Sequence, residues 1–138
     1  MLLYGLIGVA TLVIMVAMDS VWIGMVALPQ FRAAFGNDLM FRPVPGVVFY
    51  LLYLAGLLFF VIRPALASGA WTTALGYGAF FGLVAYGTYD LTNHATLRPW
   101  SAGLAASDMA WGTFLTAVAP TLGLLIGRYL LSVIRPGG

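Results

Sequence analysis

The sequence predicts an all-α polytopic membrane protein, a four-transmembrane-helix bundle forming one domain over 1–138. Three observations carry that expectation. The chain is 62% hydrophobic and 7% charged, with a mean hydropathy of +1.01. Its six basic and four acidic side chains are too few to cover a water-facing surface, since a soluble domain carries about 25% charged residues. The charges also separate four apolar runs, expected as spans at about 2–28, 44–62, 70–97 and 102–131. Runs of this length suit helices, because barrel strands need only about 9–11 residues with strict alternation. In lipid the backbone has to satisfy its own hydrogen bonds, and a helix does so within one segment.

Met1 to Met18 carries no charge, and the apolar pattern continues past Asp19 to Leu28. No positive residue follows Met1 and the run exceeds the roughly 7–15 residues of a leader, so a retained span is expected. Positions 29–45, holding Arg32, Asn37, Asp38 and Arg42, read as one extended polar connection. The second run is uncharged until Arg63-Pro64, which is expected to end it because proline lacks an amide donor and crowds the preceding turn. Phe49, Tyr50, Tyr53, Phe59 and Phe60 mark it as the most lipid-facing helix or an oligomer contact. Ser68-Gly69 makes a tight link to the third run, and Arg98-Pro99-Trp100 separates the third from the fourth. The tail from Arg135 is read as frayed. Gly78 and Gly82, and Gly123 and Gly127, stand one turn apart and mark faces for close helix approach. Three Arg fall on each side of the bilayer, so the terminal amine and the Arg128/Arg135 pair are left to favour termini inside.

Composition removes several functions. Without cysteine there is no disulfide framework, thiolate metal site or cysteine nucleophile. The basic residues are all Arg and scattered, so no nucleic-acid patch forms. Gly-rich phosphate loops, a G-x-S-x-G elbow and an H-E-x-x-H zinc helix are all absent from the sequence.

What remains is a set of polar residues inside the spans. In an antiparallel four-span topology, Asp19, Asp90 and Asp108 fall near one membrane face, each roughly 10 Å inside its helix end. That face also carries Arg32, Arg42 and Arg98. An aspartate at mid-span costs about 2.5–3.5 kcal/mol, so something offsets it: an Arg partner, a proton or a bound cation. Direct pairing of at least one aspartate with one of those Arg is expected, and a purely structural Asp–Arg network stands as the competing reading. Asp19/Trp22 and Asp108/Trp111 form two D-x-x-W units on antiparallel helices. Asp90, Asn93 and His94 follow i, i+3 and i+4 with Tyr86 one turn earlier, a stripe that has to face the bundle or a wet cavity. Asp90, Asp19 and Asp108 are therefore the candidate catalytic residues, and Asn93, His94, Tyr86, Trp22, Trp111 and Arg98 the candidate binding residues. The lone His94 suits a divalent cation, a proton donor or a plain interfacial contact, which leaves metal and cofactor unspecified.

The segments Asp19-Ser-Val-Trp-Ile-Gly24, Phe49-Tyr-Leu-Leu-Tyr53, Tyr89-Asp-Leu-Thr-Asn93, Ala95-Thr-Leu97 with Trp100, and Asp108-Met-Ala-Trp-Gly-Thr113 resemble a family of small bacterial predicted integral membrane proteins of unknown function. The resemblance implies a helical membrane protein of this length in a bacterial inner (cytoplasmic) membrane. It implies no reaction or cofactor, and it implies a variable residue at His94. Three functions stay in view. The first is a site that binds or modifies a membrane lipid or other amphiphile. The second is an ion or small-solute carrier working as a homo-oligomer. The third is an accessory subunit packed against a larger membrane complex.

Overall fold

The computed structural model describes residues 1–135; of the tail expected to fray from Arg135, positions 136–138 lie outside them. Nearly all of the described residues are helical, with no strand among them. Helix α1 (Leu2–Trp22) passes through a π turn at Ile23–Ala27 into α2 (Leu28–Phe35), which ends in a 3₁₀ turn at Gly36–Asp38. Helix α3 (Pro43–Leu57) passes through a second π turn at Leu58–Ile62 into α4 (Arg63–Ser68). Two long helices follow, α5 (Trp71–Thr96) and α6 (Ala102–Ile134). Leu2–Asp38, Pro43–Ser68 and Ala102–Ile134 are long and apolar enough to cross a membrane. Helix α5 is outside that set because it carries the Tyr, Thr, Asp and Asn of the polar stripe, although its 26 residues reach about 39 Å. The fold is an all-α membrane bundle of four long helices.

Two proline expectations are corrected. Positions 29–45 are not one extended connection, since helix continues through Pro29 as far as Phe35 and only 39–42 remain outside any helix. Nor does Pro64 end the second span, which runs on to Ser68. Both prolines directly follow a π turn: the Leu28 amide donates to the Ile23 carbonyl and the Arg63 amide to the Leu58 carbonyl, each an i to i+5 bond. The widened turn moves aside the carbonyl that the pyrrolidine ring would strike, so the helix absorbs the proline. The fourth span likewise extends past 131, to Ile134. At the true breaks, Gly36 (φ 53°) and Gly69 (φ 74°) adopt backbone that side-chain-bearing residues resist.

Helix α6 is the axis of the bundle, packed along both α5 and α1. Its seams are made by missing side chains. A Cβ on Gly78 or Gly82 would run into the Thr116 and Gly112 carbonyls of α6, and one on Gly123 or Gly127 into Thr11 and Ile7 of α1. Pro120 adds to the first seam: it gives Thr116 no intrahelical donor, and the freed carbonyl rests on Gly78. On α1 the buried residues Ile7, Thr11, Met15 and Asp19 recur every four positions, so one face carries the core to the carboxylate. Helix α3 buries Tyr53 and Leu57 and turns Val44, Val47, Val48, Leu51 and Leu52 outward.

Gly78→Val should lower the thermal midpoint in detergent by an amount equivalent to about 1–3 kcal/mol, the usual cost of overpacking. Gly76→Ala, inside α5 where a Cβ meets open space, should not lower it. Equal midpoints for wild type and Gly78→Val would show that the α5–α6 seam is loose.

Candidate functional site

The three aspartates gather where α1 gives way to α2, α5 ends and α6 begins. Asp19 closes the buried face of α1 and is 6% exposed. Tyr50 of α3 donates its hydroxyl to one carboxylate oxygen at 2.5 Å, and the Trp111 indole of α6 donates to the other at 3.0 Å. The arginine pairing expected for these acids is therefore corrected: no aspartate pairs with an arginine among the described residues, and Arg32, Arg42 and Arg98 stay exposed. The reason is depth. Those arginines sit at the ends of the bundle, while tyrosine and tryptophan donors on neighbouring helices already stand at the level of the carboxylate.

The two D-x-x-W units meet across the α1–α6 seam. Trp22 and Trp111 stack with centroids 4.8 Å apart and planes 1° from parallel. Trp111 serves Asp19 of the opposite unit, and Trp22 neighbours Asp108 of the opposite unit, its buried N–H free of any partner in bonding geometry. Asp90 is 0% exposed, and neither of its oxygens has a hydrogen-bond partner. Its neighbours are the half-buried Asp108 carboxyl and the Trp100 indole, whose N–H is also unpartnered.

A cavity of about 440 Å³ opens beside this cluster. Asp19, Trp22, Ile23, Ala27 and Phe31 line it from the first long helix, and Gly46, Phe49, Tyr50 and Tyr53 from α3. Phe41 closes one margin, Ala85, Tyr86 and Tyr89 contribute from α5, and Asp108 from α6. Tyr86 reaches its place because Gly112 faces its ring; a Cβ there would lie inside it. Tyr53 is fixed by a 2.8 Å hydrogen bond between its hydroxyl and that of Thr116.

The candidate residues thus divide. Asp19, Asp108, Tyr86 and Trp22 line the cavity, Trp111 supports Asp19 from behind, and Asp90 lies behind Asp108. Asn93 and His94 do not line it; the exposed His94 contacts the Trp100 carbonyl through Nδ1 at 2.6 Å. Arg98 is exposed in the α5–α6 turn. No group of three or more His, Cys, Asp or Glu among the described residues is arranged to hold a metal ion. Sequence reasoning missed Tyr50 and Tyr53, which it assigned to a lipid-facing helix. The available signal was two hydroxyls three residues apart in a run otherwise without polar side chains. It also missed α2, whose Phe31 and Phe35 pack on Trp100 at 5.5 and 5.9 Å and whose Gln30 accepts from Ser107.

These features define a helical membrane protein with an acidic and aromatic cluster at one end of its bundle. The chain belongs to the family described as predicted membrane protein (DUF2177), whose model matches residues 4–125. No curated protein and no solved structure matches it.

Tyr50→Phe removes one of the two donors to Asp19. It should cost about 1.5–3 kcal/mol, the range for a hydrogen bond to a charged group, read as a lower unfolding midpoint in detergent. A midpoint equal to wild type would mean that Asp19 does not depend on Tyr50.

Proposed function

We propose that this protein binds a membrane lipid or other amphiphile, holding the polar end among Asp19, Asp108 and the tyrosines. The apolar part then lies along the aromatic walls of α3 and α5. The cavity of about 440 Å³ carries this reading. It is within the usual range of about 300–1,000 Å³ for small-molecule sites, and it combines many apolar groups with few polar ones. Its level supports the same reading, because lipid headgroups sit near the ends of spanning helices. Chemistry on the bound molecule would draw on Asp108 in the wall, with Asp90 behind it. A helical multi-pass chain of this family is suited to the bacterial cytoplasmic membrane.

The experiment is native mass spectrometry of the protein released from mild detergent, with lipid extraction of the same sample. Wild type should retain one amphiphile per protomer. Gly46→Phe should reduce retention at least tenfold, because Gly46 lines the cavity and a Cβ there meets nothing within 4 Å, so the added side chain takes up space in the site. Undiminished retention in a folded Gly46→Phe protein would place any bound lipid elsewhere and defeat the reading.

A further inference from the structure

We propose that the amphiphile taken by this cavity carries a positive charge at its polar end, an ammonium group seated between Asp108 and the aromatic wall. The inference rests on the amphiphile reading above and adds the chemical class of the headgroup.

Charge is the first argument. Two carboxylates, Asp19 and Asp108, stand in the cavity wall, and no Arg or His lines it. Asp19 is held by two donors, Tyr50 and Trp111. Asp108 is half-buried beside the Trp22 indole and beside another carboxyl, Asp90, which is 0% exposed with both oxygens unpartnered. A buried carboxylate without a partner, as at Asp90, is costly, and a half-buried second carboxyl beside it adds to that cost. Their remaining neighbours are indole N–H groups of Trp22 and Trp100, which supply hydrogens but no charge. A cationic ligand would supply what the protein leaves out. A phosphate, sulfate or carboxylate headgroup would meet like charge at both carboxylates and no cationic side chain in the wall.

The wall chemistry is the second, independent argument. Trp22, Phe49, Tyr50, Tyr53, Tyr86 and Tyr89 line the cavity. Phe49 touches Tyr50 at 5.4 Å and Tyr53 at 5.3 Å, and Tyr53 and Tyr86 meet edge to face at 6.3 Å, so these four rings form one continuous stretch of the lining. Aromatic faces attract ammonium groups through the ring quadrupole, with greater effect where water is excluded. Carboxylate and aromatic ring together select an alkylated or primary ammonium over a neutral sugar or glycerol.

The test is isothermal titration of purified protein in dodecyl maltoside with three probes of equal tail length: decyltrimethylammonium, decyl phosphate and decyl glucoside. Decyltrimethylammonium should bind at least tenfold more tightly than either of the others. Asp108→Asn should bring its affinity to within about twofold of decyl glucoside, measured on the same variant. Equal affinities for all three probes in wild type would overturn the charge selection while leaving an amphiphile site in place. Tighter binding of decyl phosphate would overturn it outright. Failure of every probe to bind would remove the amphiphile reading as well. Should Asp108→Asn not fold, the wild-type ranking decides alone.

Discussion

The close approach of α6 to both of its neighbours is the constraint on which the rest of this bundle depends. Between lipid-immersed helices there is no hydrophobic driving force, so contact has to come from packing at short range. Gly78 and Gly82 admit the backbone of α6 on one side, and Gly123 and Gly127 admit α1 on the other. With those distances set, Trp111 reaches Asp19, Trp22 stacks on Trp111, and Asp90 comes to lie beside Asp108. Larger residues in either seam would separate the pairs before they disturbed any single helix.

Polar satisfaction then explains an uneven treatment of three similar acids. Asp19 is stabilised by donors from two different helices, which ties α3 and α6 to α1. Asp90 and Asp108 are placed together beside the Trp100 and Trp22 indoles, with both Asp90 oxygens outside bonding geometry, in a protein that has arginines at its surface. A bundle selected for stability alone would have no use for that arrangement. Strained or unsatisfied groups that persist in a fold tend to mark sites where something else binds or reacts.

The π turns contribute the space. By carrying the helix through Pro29, the first of them lets α2 extend the opening span and lean onto Trp100 and the start of α6. Phe31 of α2 and Ile23 and Ala27 of the π turn itself line the cavity. A straight connection at that point would leave the acids open to the headgroup region. The second π turn, before Pro64, preserves the length of α3's span and keeps Val61 and Ile62 in the core.

Composition and run length were enough to determine the class, the helical architecture and the packing faces, because a bilayer allows few solutions and Gly pairs have few other uses. The level of the three aspartates was legible for the same reason: an antiparallel order and a rise of about 1.5 Å per residue place them along the membrane normal. Which donors serve them was not legible. Arg32, Arg42 and Arg98 were the obvious partners by charge, yet Tyr50 and Trp111 fill that role, because rotation of each helix about its own axis decides which side chains meet. The fate of the prolines also lay beyond the sequence, since a proline either ends a helix or is absorbed by a π turn, and the backbone shows which. Tertiary structure alone divided the polar stripe, sending Tyr86 into the cavity, Asp90 behind Asp108 and His94 to the Trp100 carbonyl. Three residues on one helical face share a direction, but their depth along α5 sets what each one touches.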